Sequence, residues 1–273
     1  MEMNNMQFRI PHRPRYFKAF DKSPNMIVAY ETHDIQNLIK LLKDEKVCQN
    51  LHAKQRLITY INRVRRDRNN EVEIVYYKNR KMGKFIAKDN LQYIDRTIKE
   101  KIYKVDGYVS LDITNRGYTI INEVAKYHGI DLPAINYFVQ NREQVFQDHL
   151  ALWPHLSEIY DVKCLFLQMI DSFYDYDMGS SLMQDMNYEL LYVNCIFFHP
   201  KYSYLNLHAI IEIYSSYIMN LIVDYLVINE VMKEDFYSLN GDEIFFQPLK
   251  PFEVSDIENY IFQDTGFNIK LHN

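Results

Sequence analysis

The sequence predicts an α/β fold with a more helical N-terminal part. Of its 273 residues, 48% are hydrophobic and 25% are charged, which is the balance of a chain that folds around a core. Several segments carry apolar residues at helical spacing, and others alternate or run apolar as strands do. The dipeptide Asn240-Gly241 lies between two β-favouring runs and predicts a hairpin near the C-terminus.

The N-terminal third begins without a regular pattern and then becomes helical. Residues 1–30 are expected to be irregular and extended, because three prolines interrupt them. Thr32 or Asp34 is expected to cap the helix that follows. The next predicted elements are a helix over 50–68, a strand over 71–77, its return over 84–87 and a helix over 91–102.

The rest of the chain combines longer helices with short strands. The run 108–113 is predicted to be a strand, because apolar and β-branched residues predominate in it. The most apolar segment, 205–232, carries four titratable residues and is therefore expected to be a buried helix rather than a membrane span. The remaining predictions are helices over 119–128, 133–141, 142–150, 157–173 and 254–264, and strands over 236–239, 243–247 and 267–271.

Composition excludes several classes of function. Glycine occurs only 7 times, and the phosphate-loop patterns G-x-G-x-x-G and G-x-x-x-x-G-K-[ST] are both missing, so dinucleotide-binding and P-loop functions are excluded. Three separate cysteines with no C-x-x-C pair give neither a disulfide framework nor a cysteine zinc site. We therefore expect a cytoplasmic, reducing location and no membrane partner.

Charge is distributed unevenly along the chain. Residues 54–104 contain 15 Lys or Arg and 6 Asp or Glu, whereas the remainder contains 16 and 30. Such asymmetry indicates an anionic partner, and aromatic residues interleaved with the cations suit nucleic acid. The alternative is a solvated helix face followed by a charged hairpin. The predicted nucleic-acid-binding residues are Arg63, Arg65, Arg66, Arg68, Arg80, Lys81 and Lys84.

Two acidic residues occupy unusual places. Asp112 lies at the end of a predicted core strand, and Asp242 lies at the tip of the predicted hairpin. A carboxylate at the end of an apolar strand needs hydrogen bonds or a cation. If both residues lie side by side in one sheet, they can hold a pair of Mg²⁺ ions for phosphoryl transfer. The alternative is that Asp242 is a simple turn residue and Asp112 a helix cap.

The segments around these aspartates resemble motifs of one polymerase superfamily. Residues 108–122 (YVSLDITNRGYTIIN) are similar to palm motif A of family A DNA polymerases and single-subunit phage-type RNA polymerases. Residues 239–246 (LNGDEIFF) resemble motif C, and residues 161–174 (DVKCLFLQMIDSFY) resemble the motif B helix. Residues 132–143 (LPAINYFVQNRE) resemble a segment that follows motif A in short viral and plasmid members.

The resemblance implies a template-directed nucleotidyltransferase with a palm-like antiparallel sheet and packed helices. It assigns catalysis and the binding of Mg²⁺ to Asp112 and Asp242, and it assigns Lys163, as a further catalytic residue, to the triphosphate. Glycine five residues after the motif A aspartate favours ribonucleotides, as in an RNA polymerase or primase, over DNA synthesis. The implied substrate-binding residues are Gly117, Arg142 and Tyr174.

Simpler interpretations of three of these residues stay open. Gly117 can be a turn residue that ends the strand. Arg142 can be a surface partner of Glu143 or Asp148, and Lys163 can face solvent.

The sequence also departs from the superfamily pattern. Gly241 replaces the histidine before the motif C aspartate, motif B lacks an arginine and a glycine, and Tyr174 lies three positions late. The competing function is a non-catalytic nucleic-acid-binding or assembly subunit that retains a degenerate palm. The expected partners are template and product nucleic acid and nucleoside triphosphates, and a second protein subunit stays open. The predicted domains are a basic helical region over 1–70 and a palm-like region over 71–273, with reduced fingers over about 114–235.

Overall fold

The computed structural model describes residues 24–66, 69–79, 84–87, 91–153, 155–171, 180–197 and 207–273. Contacts within the chain define a sheet unit, formed by Ser23–Arg116 and Ser215–Asn273, and a helical unit that includes Gly117–Tyr214. Helices and two antiparallel sheets make the protein α/β, as predicted. The predicted domains, with a division at residue 70 and reduced fingers over about 114–235, stay predictions.

The first sheet contains three antiparallel strands in the order β1-β2-β3: β1 (Met26–Thr32), β2 (Glu71–Lys78) and β3 (Phe85–Ala87). The expectation of irregular structure up to residue 30 is wrong for its last five residues. β1 pairs with β2 along its whole length, from Met26 opposite Tyr77 to Thr32 opposite Glu71. This stabilising partner is distant in sequence, so the local pattern does not reveal it.

Four helices of the sheet unit precede the second sheet: α1 (Ile35–Leu41), α2 (Glu45–Gln49), α3 (Leu51–Val64) and α4 (Arg96–Val105). The Asp34 carboxylate accepts the Gln36 N–H at 2.8 Å and caps α1, which confirms one predicted cap. α2 was not predicted. The helix predicted from residue 91 begins later, because Leu91–Tyr93 forms a 3-10 turn and Asp95 caps α4 at the Thr97 N–H.

The second sheet has the order β5-β6-β4-β7, and all its strands are antiparallel. β4 (Val109–Ile113) lies between β6 (Glu243–Phe246) and β7 (Leu271–His272), and β5 (Tyr237–Leu239) is at the edge. The hairpin at residues 240–242 is confirmed. The final strand begins at Leu271, so the prediction over 267–271 is wrong except at its last residue, and α10 (Val254–Thr265) precedes the strand as expected. The central position of β4 places Asp112 inside the sheet.

A buried polar cluster lies in the sheet unit, and we call Glu31, His33 and Asp106 the closed cluster. His33 Nδ1 lies 2.7 Å from Asp106 Oδ2, and His33 Nε2 lies 3.3 Å from Glu31 Oε2. The hydroxyl groups of Tyr60 and Tyr103 donate to the Glu31 carboxylate. Burial alone would raise the pKa of Glu31, but the hydrogen bond and positive charge of His33 outweigh it and hold that pKa below its usual value.

The helices between β4 and β5 include one that the sequence analysis did not predict. They are α5 (Arg116–Tyr127), α6 (Pro133–Leu152), α7 (Ile159–Asp171), α8 (Ser181–Phe197) and α9 (Leu207–Ile228). The break expected between helices over 133–141 and 142–150 is confirmed, because the non-helical backbone of Asn141 kinks α6 at that position. α8 was not predicted. The domain boundary at Tyr214 falls within α9.

Helix α9 has the length and hydropathy needed to cross a membrane. Among the described residues it is the one helix that meets this test, and 72% of its most apolar window is buried inside the protein. The prediction of a buried helix over 205–232 is therefore confirmed in the part that the structure describes. Glu212, 1% exposed, is one of the titratable residues that α9 buries.

Candidate active site

The second sheet brings the two predicted metal-binding aspartates together. β4 and β6 pair with Asp112 opposite Glu243, the residue that follows Asp242. The Ile113 N–H donates to the carbonyl of Asp242 at 3.3 Å, which fixes the hairpin tip beside the end of β4. Two acids 130 positions apart in the sequence thus become neighbours at one end of the two inner strands.

A glycine with left-handed backbone shapes the hairpin tip. Gly241 has φ of +77°, a conformation that favours glycine because it lacks Cβ. The Asn240 N–H donates to the Glu243 carbonyl at 2.8 Å, and the Asn240 side chain donates to Glu243 Oε2 at 3.3 Å. The structure thus explains glycine at the position where the resembling superfamily has histidine: a side chain there would strain the turn.

Asp112 is poorly compensated for a buried carboxylate. Its Oδ1 is buried, and it has no hydrogen-bond partner among the described residues. Burial first, and then the negative charges of Asp242 and Glu243 and a hydrogen bond shared with Asp242, together raise the pKa of Asp112 to about 7. Burial likewise raises the pKa of Glu243. We call Asp112, Asp242 and Glu243 the open cluster, since it lacks the internal compensation of the closed cluster.

Several cations surround the open cluster. Arg116 Nε lies 3.3 Å from Asp242 Oδ2. Arg96 and Lys99, both on α4, act on the carboxylates through their charge, and burial lowers the pKa of Lys99. A Cβ added to Gly241 would lie 3.8 Å from Lys84 Nζ, so this predicted nucleic-acid-binding residue lies against the hairpin tip. The site therefore mixes acids with the positive charges that anionic substrates require.

Sequence reasoning overlooked Arg116, Arg96 and Lys99. Arg116 lies within the motif A segment, four residues after Asp112, where its distance from the aspartate was the available signal. Arg96 and Lys99 lie on the next helix towards the N-terminus, and their part in the site depends on how α4 packs. Their proximity to the acids becomes apparent only in the folded structure, where β4 and β6 pair although they are distant in sequence.

Three other predicted residues belong to the helical unit. Gly117 is the second residue of α5 and has no left-handed φ, so its interpretation as a turn residue is wrong. A Cβ there would lie 2.7 Å from Ile170 Cδ1, so a side chain at this position would have to displace the end of the Ile170 side chain. Arg142 Nη1 pairs with Glu143 Oε1 at 3.4 Å, which confirms the surface-partner alternative, although its Nε is buried without a described partner. Lys163 is half-buried on α7.

The basic residues predicted to bind nucleic acid are only partly described. Arg63 donates to the Glu73 carbonyl at 2.8 Å, so its guanidinium serves the fold. Arg65 and Arg66 are exposed after the end of α3. The predictions at Arg68, Tyr174, Arg80 and Lys81 lie outside the described residues.

The pair of aspartates is the part of the chain that suits a metal, but it is not a complete ligand set. Within the described ranges, no group of three or more His, Cys, Asp or Glu residues is arranged to hold an ion. Magnesium commonly takes one or two carboxylates and completes its coordination with water and substrate phosphates. The buried, unpartnered Oδ1 of Asp112, with Asp242 beside it, fits such a cation.

No family model matches the chain, and no curated protein matches it. Among solved structures, the chain is similar to the POL domain of Pol1 from M. smegmatis in complex with DNA primer-template and dNTP, with a TM-score of 0.40 and 12% identity. The match covers 81% of this chain and 50% of that one, so this chain spans about half the length of its structural neighbour.

Proposed function

We propose that the chain is a template-directed nucleotidyltransferase that uses Mg²⁺ held by Asp112 and Asp242. The observation that carries the proposal is the meeting of Asp112, on β4, with Asp242, at the tip of the neighbouring hairpin, and the buried, unpartnered Oδ1 of Asp112 among the described residues. A structural carboxylate in that position would normally be hydrogen-bonded. A divalent cation supplies the missing compensation for both acids.

The proposal assigns a task to each candidate residue. Asp112 and Asp242 would hold the cations, which supply Lewis acidity to the attacking hydroxyl and to the triphosphate. Glu243 holds the hairpin through Asn240. Lys163 would place a positive charge on the phosphates, as the motif B resemblance implies. Gly117, Arg142 and Tyr174 would contact the substrate.

The proposed partners are nucleic acid, as template and product, and nucleoside triphosphates. Lys84 beside the hairpin tip and the exposed Arg65 and Arg66 support contact with a phosphate backbone. We further propose ribonucleotides as substrates, because the motif A resemblance associates glycine at position 117 with ribonucleotide synthesis. The palm-like region over 71–273, the basic region over 1–70 and a cytoplasmic location belong to this proposal.

A primer-extension assay tests the proposal. Full-length protein is incubated with a primed template and Mg²⁺, and incorporation of rNTPs and dNTPs is compared. We expect extension that stops with EDTA and falls about 100-fold or more in Asp112→Asn and in Asp242→Asn, the scale seen when one electrostatic contact to a transition state is lost. Asp256→Asn, the same change at an exposed position on α10, should extend like wild type.

The same assay separates the catalytic function from its competitor. A non-catalytic nucleic-acid-binding subunit would bind the primed template, measured by fluorescence anisotropy, without incorporating any nucleotide. Binding of that kind, unchanged in Asp112→Asn, would replace our proposal with the subunit function.

A further inference from the structure

Arg116 is held in place beside the hairpin tip by the backbone that leads to it. The Thr114 N–H donates to the Lys270 carbonyl at 2.8 Å, and Asn115 adopts a left-handed φ of +53°. This turn ends β4 and begins α5 at Arg116. The guanidinium reaches Asp242, with Nε 3.3 Å from Oδ2. A carboxylate that we propose as a cation ligand thus already carries a positive partner.

The other cations near the open cluster are engaged differently. Arg96 Nε donates to Glu100 Oε1 at 2.7 Å, along its own helix. Lys99 is 4% exposed and its ammonium lies over the ring of Phe245. Arg116 instead contacts one of the two proposed metal ligands directly. Among the described ion pairs, its contact with Asp242 is therefore one that a bound cation would have to replace.

Breaking the Arg116–Asp242 ion pair costs little free energy, so Arg116 can exchange Asp242 for another anionic partner. The two side chains are 23% and 33% exposed, so water and salt screen the ion pair and it contributes little to stability. An arginine side chain is long, and its planar guanidinium suits phosphate oxygens as well as carboxylates. Leaving Asp242 therefore costs little, and a phosphate of the substrate offers a second partner.

We infer that Arg116 is an exchanging counter-ion: it neutralises Asp242 until a divalent cation binds there, and then turns its guanidinium to the phosphates of the nucleoside triphosphate. The inference rests on the proposed function. It predicts that removal of the guanidinium changes the affinities for cation and nucleotide in opposite directions. Removing the guanidinium should tighten binding of the cation, which loses a competitor, and weaken binding of the nucleotide, which loses a ligand.

Two titrations test the inference. Binding of Mn²⁺ alone is followed through the EPR signal of the unbound ion, and binding of a nucleoside triphosphate is then measured in saturating Mn²⁺ by calorimetry. For Arg116→Gln we expect the Mn²⁺ Kd to fall about 2- to 5-fold, because a partly exposed ion pair contributes a free energy of that size. We expect the nucleotide Kd to rise about tenfold, because the variant loses one charged hydrogen bond to the phosphates. Arg116→Lys should change both constants in the same directions by less.

Controls keep the outcomes distinct. Lys104→Gln removes an exposed charge from α4 away from the site and should leave both Kd values unchanged. A thermal melt reports folding, and if Arg116→Gln fails to fold, Arg116→Lys carries the comparison. An unchanged or weaker Mn²⁺ Kd, or weakening of both ligands together, would overturn the exchange. If Asp112→Asn and Asp242→Asn bind Mn²⁺ like wild type, the metal site of the proposed function fails, and the exchange fails with it.

Discussion

The closed and open clusters bury acids in the same unit and treat them in opposite ways. In the closed cluster, Glu31 accepts hydrogen bonds from two tyrosines and contacts His33, and its pKa is lowered. In the open cluster, Asp112 keeps one buried oxygen unpartnered, and its pKa is raised to about 7. The first acid is stabilised as an anion by the fold, whereas the fold destabilises the second.

This difference indicates what each cluster contributes. A buried acid with complete hydrogen bonds strengthens the structure that surrounds it. A buried acid that the protein leaves uncompensated is a cost, and such costs concentrate at sites that bind something. The closed cluster therefore belongs to stability and the open cluster to the proposed chemistry.

The largest expected effect comes from opening the closed cluster. Glu31→Gln removes the negative charge that pairs with His33, and breaking a buried pair on one side costs about 3–5 kcal/mol. Urea unfolding followed by circular dichroism measures the change. Glu73→Gln, at the exposed Tyr30–Glu73 contact in the same sheet, should change the midpoint little. Equal midpoints for Glu31→Gln and wild type would contradict the structural role of the cluster.

A change of opposite sign is expected in the open cluster. Asp112→Asn removes a carboxylate that the fold destabilises. The free energy of unfolding in EDTA should therefore rise by on the order of 1 kcal/mol, after allowance for the partial exposure of Asp112. This change corresponds to a rise in Tm of about 2–4 °C. Because the pKa of Asp112 in the folded protein lies above the ordinary aspartate value of 3.8, wild type loses stability as the pH rises from about 4 to about 7. Asp112→Asn should lack that loss.

Thermal melts of wild type and Asp112→Asn from pH 4 to pH 8 measure this difference. The gap in Tm should widen up to about pH 7 and then stay constant. A gap independent of pH would show that Asp112 is not held in a destabilised form.

The smallest expected effect on stability concerns the backbone of the hairpin tip. The hairpin of the open cluster depends on the left-handed Gly241, and Gly241→Ala should cost about 1 kcal/mol because Cβ opposes that conformation. The added methyl would meet Lys84 only at ordinary contact distance, so crowding adds nothing. Gly241→Asn should cost less, since asparagine tolerates the left-handed region. Equal urea midpoints for all three proteins would contradict the explanation.

Much of the fold follows from local patterns. Asp34 capped its helix as predicted, and the hairpin at Asn240-Gly241 formed where the dipeptide indicated. β1 escaped prediction because its stability comes from pairing with β2, and α8 was missed although its buried residues follow helical spacing. Local preference was sufficient where a cap or turn decides the structure, and insufficient where a distant partner does.

The candidate site was predictable in its acids and not in its cations. Asp112 and Asp242 were identified from their places at a strand end and a hairpin tip, and the structure brings them together. Lys99 joins them through the packing of α4, which no spacing in the sequence encodes, whereas Arg116 lies only four residues after Asp112, just beyond the turn that ends β4. The closed cluster was likewise invisible, because its members come from segments far apart in the chain.

The hydroxyl of Ser238 lies 2.7 Å from that of Tyr103, and the Leu239 N–H donates to the Tyr76 hydroxyl at 2.9 Å. These bonds fix which residues of β5 face inward. Because successive side chains of a strand point to opposite faces, a slip in register by one residue would turn Ser238 away from its partners. An insertion or deletion in the loop between Leu239 and Glu243 would therefore shift β5 against β6 and move Ser238 away from its partners, whereas a substitution in the loop leaves the register in place.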